Sequence, residues 1–396
     1  DGTVRMVVAS APTINFPRNS RPSQARNRAI IGSAPLTAWQ PSYTITAGGA
    51  TSQRRVPCQS ISHPAHYTGT SLVTVYTLDI ADPNGGAAPV SVAADGDTVY
   101  ATADSLYVAS NPDWWTFGKH TQQTEIHRFD ITGARRPTYL GSASVPGRLL
   151  SQYSLSDYAG YLRVATTSVG PHPYSGVYDL DAATLASVGS VAGLGKGEQI
   201  YAVRFAGPLA YVVTFRQTDP LYVVDLTDPA HPKVAGSLQL TGYSSYLHDA
   251  GDGRLIGVGE QIAADNEPDG LQVSLFDVSD PSAPLRTAHV VRNDSGGGEQ
   301  LDPHAFLYWQ PTGLVTVPVQ SWSRNQSGAA LVLRVNGSKL TTVGTVRNPL
   351  GTAVPDDGQG IVRSMLVDGR LWTLSSSGLQ VLDPISLHRD AWIEFS

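Results

Sequence analysis

Apolar and polar residues alternate in short runs along nearly the whole chain, and Gly, Pro, Asp or Asn interrupts the runs at close intervals. Ala210-Tyr211-Val212-Val213-Thr214-Phe215, Leu255-Ile256-Gly257-Val258 and Leu371-Trp372-Thr373-Leu374 are examples. A period of two is the signature of strands, not helices. Tight-turn residues join neighbouring runs: Gly207-Pro208, Gly251-Asp252-Gly253 and Asp368-Gly369 each separate two apolar segments, the mark of a hairpin.

The runs repeat. A strand ending in apolar-Asp-apolar recurs at Asp79, Asp130, Asp179, Asp225 and Asp277, with intervals of 51, 49, 46 and 52 residues. Degenerate copies follow at Leu333-Arg334-Val335 and Leu379-Gln380-Val381-Leu382. The motif often runs into Asp-Pro, as at Asp228-Pro229 and Asp280-Pro281, where proline sets a corner and cannot extend a ladder. A small-residue strand such as Val234-Ala235-Gly236-Ser237-Leu238 comes next. Each unit reads as four short antiparallel strands, the form of a propeller blade. The predicted fold is an all-β propeller of about seven blades in one domain. Six blades fall at 90–146, 149–194, 198–241, 244–292, 303–348 and 359–395. Residues 1–89 supply an incomplete first blade with an irregular insertion at about 10–70. Val4–Ala9 reads there as a second strand, so a first strand is expected upstream, and a member with that region complete would have eight blades.

Composition agrees. The 39 Gly and 27 Pro punctuate turns, and 15% charged residues is too few for long wet-faced helices. The 41% apolar content suffices for a core. A net charge of −6 with no basic stripe argues against nucleic acid as the partner. No polybasic cluster marks an anionic membrane surface, and no apolar run reaches the length of a spanning helix. The chain opens at Asp1, directly in a strand-like run, as a processed product would. The single cysteine, Cys58, has no partner for an intramolecular disulfide; it is a free thiol or pairs outside these residues.

Several of these segments resemble secreted bacterial and archaeal proteins with a C-terminal β-propeller distantly related to WD40 repeats. They include Ser105-Leu106-Tyr107-Val108-Ala109-Ser110, Thr124–Asp130, Gly160–Thr167 and Leu271–Pro281, with Asp302-Pro303-His304-Ala305-Phe306-Leu307-Tyr308. The resemblance spans nearly the whole chain. It implies the fold and export to the cell surface or beyond, and carries no activity with it.

Candidate chemistry lies on the first strands of successive blades, which line a propeller's central channel. Gln152, Arg204, His248, His304 and Arg363 fall there and are expected to form a channel mouth that seeks anions. The competing reading is that they hydrogen-bond neighbouring blades. Trp114 and Trp115 form an aromatic loop suited to a sugar or a protein hot spot, or to covering the rim between blades. Neither His248 with Asp249, His304 with Asp302, nor His63 with His66 has the spacing of a metal site. The acidic loops Asp265–Gly270 and Asp356–Gly358 lack the calcium-loop pattern. No nucleophile motif or phosphate loop occurs, so neither a cofactor nor a resident metal is expected.

These features describe an extracellular binding or scaffold module that docks a protein or carbohydrate at one propeller face. The alternative is an enzyme, a lyase or hydrolase, acting on an anionic polysaccharide. Arg204 and Arg363 would then hold a uronate while His248 or His304 serves as base.

Overall fold

A computed structural model describes residues 2–395 apart from 18–22, 65–66, 68, 83–85, 112–121, 135, 216–218, 265–266, 294, 297–300, 322–328 and 350–359. The chain divides into two compact units, Asp1–Val169 with Tyr178–Val188 and Gly170–Val177 with Gly189–Ser396.

Among the described residues seven larger sheets succeed one another. The first is ordered β1 (Thr3–Ser10), β5 (Leu72–Asp79), β6 (Val90–Val92), β4 (Ile61–Ser62), and a separate hairpin joins β2 (Ser42–Ala47) to β3 (Ala50–Arg55). The second holds β7 (Thr98–Ala101), β8 (Ser105–Ser110), β9 (Gln123–Asp130) and β10 (Thr138–Pro146). The third holds β11 (Leu155–Tyr158), β12 (Tyr161–Thr167), β13 (Ser175–Asp181) and β14 (Ser187–Leu194). The fourth is β15 (Gln199–Ala206), β16 (Leu209–Phe215), β17 (Asp219–Asp225) and β18 (Lys233–Leu240). The fifth is β19 (Tyr243–Gly251), β20 (Arg254–Ile262), β21 (Pro268–Asp277) and β22 (Leu285–Arg292). In the sixth, β23 (Ser295–Gly296) and β24 (Leu307–Trp309) both pair with β25 (Leu314–Ser321), followed by β26 (Ala329–Asn336) and β27 (Lys339–Arg347). The seventh holds β28 (Ile361–Val367), β29 (Arg370–Ser375), β30 (Gly378–Leu382) and β31 (Arg389–Glu394).

The first sheet departs from the sequence reading. β1 is not a second strand. It pairs along its whole length with β5, the strand that ends in the repeat aspartate Asp79, and so takes the outer place that β10 takes beside β9. β6 lies on the other flank of β5, so the first sheet extends past residue 90 and the second begins at β7. The insertion is not wholly irregular. It contains α1 (Gln24–Ser33), whose capping Ser23 accepts the Arg26 amide, and the short α2 (Leu36–Trp39). Cys58 is exposed in the 3-10 turn Cys58–Ser60 and has no disulfide partner among the described residues.

The repeat aspartates cap the third strands. Asp79, Asp130, Asp225 and Asp277 each accept the backbone N–H two residues on, at 2.8–3.0 Å. This side-chain-to-backbone turn ends the strand and starts the corner. In the third sheet Asp181 does this work, accepting both the amide and the hydroxyl of Thr184 at 2.7 Å. The aspartate assigned to that copy from the sequence, Asp179, points into the interior instead.

Apolar side chains fill the space between consecutive sheets. In the first unit Val73, Val75, Leu106, Val108 and Phe129 form one cluster, and Tyr107, Ile126, Leu162 and Leu180 belong to another. In the second unit Val213, Leu221 and Val223 pack with Leu247, Leu255 and Phe276. Where third and fourth strands pair, a bulge recurs, at Tyr139/Gly141, Val223/Val224, Leu275/Phe276, Val332/Leu333 and Val381/Leu382. Each bulge bends the outer strand away from its partner.

The glycine of the outer strand meets the next sheet's corner. A Cβ on Gly189 would lie 2.3 Å from the Pro229 carbonyl oxygen, and one on Gly236 would lie 2.5 Å from that of Pro281. The small residue after the corner and the proline in the following corner are thus one contact seen from two sides. Gly236→Val should cost at least about 2 kcal/mol, because backbone carbonyls cannot step aside. Gly344→Ala should cost less, since its Cβ would meet only the end of the Leu387 side chain. Thermal melts of the two variants check this; an equal or smaller loss for Gly236→Val contradicts it.

Candidate functional site

Four of the five residues singled out from the sequence lie in the second unit. Arg204 is on β15 and His248 on β19, three and four residues ahead of the hairpin turns at Gly207-Pro208 and Asp252-Gly253. Arg363, on β28, stands five residues ahead of Asp368-Gly369. His304 is not on a strand. It sits in the 3-10 turn Pro303–Ala305 that precedes β24. Gln152 is likewise in a 3-10 turn, Gln152–Ser154, ahead of β11 in the first unit. The five residues therefore do not share the one strand register expected of them. Trp114 and Trp115 lie outside the described residues, as do His66 and the loop 356–358.

His248 is held in an aromatic wall. Its ring centroid is 5.0 Å from that of Phe306 and 5.6 Å from that of Tyr308, and its Nδ1 is 3.1 Å from the Tyr246 hydroxyl. Burial first, and then the nearby Arg204 guanidinium, lower its pKa to about 4 against a partial offset from Asp249. The imidazole is therefore neutral at pH 7. Arg204 faces Tyr211 across the β15–β16 ladder. Its Nε is buried without a hydrogen-bond partner, and among the described residues no carboxylate pairs with its guanidinium.

A second cluster centres on Asp302, weighed from the sequence only beside His304 as a metal ligand. Its Oδ1 accepts the His304 amide at 2.9 Å and stands 3.0 Å from His304 Nδ1. Its Oδ2 accepts Arg363 Nη1 at 2.7 Å. Partial burial of this carboxyl works against ionisation, but the His304 amide, Arg363 and the His304 ring outweigh it and hold the pKa below the ordinary value. Arg363 is thereby neutralised. Of the two arginines expected at an anion-seeking mouth, Arg363 has its carboxylate and Arg204 has none among the described residues.

A family model described as Beta propeller domain matches residues 1–387. The chain belongs to that family. The seven sheets are thus propeller blades, and the Asp302 cluster joins the sixth blade to the seventh. The uncharacterized protein MJ1554 of Methanocaldococcus jannaschii is 36% identical over 262 residues, covering 64% of this propeller chain and 38% of its own length. An uncharacterized protein of Archaeoglobus fulgidus is 42% identical over 209 residues, covering 52% of this chain and 32% of its own. The chain spans well under half the length of these relatives. Among solved structures, Sqt1 of Chaetomium thermophilum bound to the N-terminus of ribosomal protein L10 matches with a TM-score of 0.50 at 12% identity, over 82% of this chain and 81% of that one. That likeness is one of fold.

The first unit of the propeller carries polar chemistry that the sequence reading passed over. Between its second and third blades an open cavity of about 490 Å³ is lined by Asp104, Ser105, Arg128, Asp157, Tyr158 and Gly160. Tyr107 donates to Asp157 Oδ2 at 2.7 Å, and the Arg163 guanidinium lies 4.7 Å from the centroid of the Tyr158 ring. Asp179, on β13 and within reach of the Arg163 charge, is fully buried with both carboxylate oxygens lacking a hydrogen-bond partner. Burial raises its pKa to about 6 despite the charge of Arg163. Its proton therefore favours the folded state, a contribution present near pH 4 and lost as pH rises through 6. Asp179→Asn should gain stability relative to the parent as pH goes from 4 to 7. Thermal melts at the two pH values check this, and a pH-independent difference contradicts it.

Proposed function

We propose that the chain is an extracellular binding module and that Arg204 is its primary contact, taking a carboxylate of a protein or carbohydrate ligand with His248 beside it. One observation carries this reading. Arg204 keeps a buried, unpartnered Nε next to a neutral imidazole and an aromatic wall, where a structural arginine would have acquired an acceptor. A guanidinium fork matches a carboxylate bidentately, and Phe306 and Tyr308 offer apolar contact for the body that bears it. The Asp302–Arg363 cluster supplies a polar rim. Sqt1, alike in fold alone, shows a propeller bound to a peptide. The resemblance to exported propellers and the shortage of oxidisable residues support the extracellular assignment.

One observation favours an enzyme on an anionic polysaccharide as the second reading. Asp302 orients His304 through Nδ1 and leaves the rest of an exposed imidazole facing solvent, the arrangement of a general base. Release of new chain ends from polygalacturonate, abolished in His304→Gln, would establish it.

The test of the binding reading uses galacturonate oligomers as the probe, read by calorimetry. Arg204→Ala with Arg363→Ala should abolish the binding heat and leave the melting temperature nearly unchanged. Neither guanidinium is worth much to the fold, since one lacks a partner at Nε and the other makes an exposed pair. Loss of several degrees with binding retained would make both residues structural.

A further inference from the structure

The net charge of −6 conceals an asymmetry. Residues Gly2–Leu78 contain seven arginines and no lysine, aspartate or glutamate, leaving −13 on the rest of the chain. Arg5 is used by the fold, where it reaches Thr77 Oγ1 and the carbonyls of Ile131 and Gly133. Arg18 and Arg21 lie outside the described residues. Arg26, Arg28, Arg54 and Arg55 are exposed, and among the described residues none is ion-paired with a carboxylate.

Two of the four sit on β3, whose six residues are all exposed. The hairpin is well built. Gly48 and Gly49 turn it with φ of +56° and +79°, the requirement of a tight two-residue turn. Tyr43 packs edge-on against Tyr76 of the first blade with centroids 5.4 Å apart, and the amide of buried Val56 donates to the Pro41 carbonyl at 2.9 Å. That bond fixes the parity of the ladder. Pro41/Val56, Tyr43/Arg54 and Ile45/Ser52 are the hydrogen-bonded pairs. Ser42/Arg55, Thr44/Gln53 and Thr46/Thr51 therefore turn their backbone groups outward. On β3 the N–H and C=O groups of Thr51, Gln53 and Arg55 face an edge that no described strand covers. No proline or bulge blunts that edge.

We infer that the outer edge of β3 is a docking edge for an extended acidic polypeptide segment, which adds as a third strand and sets its carboxylates against Arg54 and Arg55. Strand addition satisfies the open backbone groups of both partners. Adjacent residues of a strand face opposite sides, so Arg54 and Arg55 address carboxylates on both faces of the incoming segment. The use of arginine alone suits forked recognition of carboxylates. This site is separate from Arg204 and does not depend on the function proposed for it.

The probe is a fluorescein-labelled glutamate oligomer, titrated with the full chain at low salt and followed by anisotropy. Arg54→Gln with Arg55→Gln should weaken binding by at least about tenfold. Gln53→Pro should weaken it comparably while keeping every charge, because it removes an outward N–H and no bond within the hairpin. Arg26→Gln with Arg28→Gln, which removes the same charge elsewhere in the insertion, should change it by less than about twofold. In the parent chain the oligomer should slow hydrogen exchange at the amides of Gln53 and Arg55, a readout that needs no variant. Unchanged binding by Gln53→Pro, or no added exchange protection, would overturn strand addition. Equal binding of single-stranded DNA or heparin, indifferent to Gln53→Pro, would show a general polyanion surface and overturn the inference. So would self-association of the parent chain that Arg54→Gln with Arg55→Gln abolishes, since the occupant would then be a second copy.

Discussion

In β14 and β18 a glycine stands where the corner of the following blade descends, and its missing side chain lets that corner's carbonyl oxygens come to within contact of the strand backbone. This close approach determines much else in the chain. The outer strand must bend to meet the corner, and a bulge recurs where third and fourth strands pair. The third strand must end abruptly to form the corner, and an aspartate caps it by taking a backbone N–H. Proline then fixes the corner itself. Bulge, cap, proline and glycine recur together because each serves the same contact between blades.

Once that contact holds the blades face to face, their middle strands are buried on both sides. Polar residues can survive there only with partners or in neutral form. Most of the chain obeys. Two of the exceptions are informative: Asp179 has no hydrogen-bond partner at either carboxylate oxygen and holds its proton up to about pH 6, while Arg204 keeps a buried Nε unsatisfied beside a neutral imidazole. The first lies on the middle strand β13 and the second near the hairpin end of a first strand. Neither arrangement is what blade packing alone would select.

The blade repeat was legible because strand periodicity, the apolar-Asp-apolar motif and the Asp-Pro corner all mark the same structural event. It misled once, at Val177-Tyr178-Asp179-Leu180-Asp181, where two aspartates fit and the motif selected the buried one. The first blade was read wrongly at β1 because alternation identifies a strand and not its neighbour; pairing with β5 is a long-range choice made by register. Arg204, His248 and Arg363 were legible as polar interruptions of apolar strands, whereas His304, singled out on the same ground, lies in the turn before β24. Asp302 was visible beside His304, but its bond to Arg363 was not, because that contact joins segments 61 residues apart. The charge asymmetry of Gly2–Leu78 was open to inspection but hidden within a net value of the opposite sign.

The candidate site rests on the pairing of a neutral, walled-in His248 with an Arg204 that has no carboxylate partner among the described residues. Selective labelling of histidine and a pH titration of its ring resonances by NMR measure this directly. The His248 signals should stay constant from pH 8 to 5, titrate near pH 4, and shift to a higher midpoint in Arg204→Ala, where the neighbouring charge is gone. A midpoint at the ordinary histidine value, unmoved by Arg204→Ala, would contradict the account, for it would place His248 in open solvent and away from the arginine.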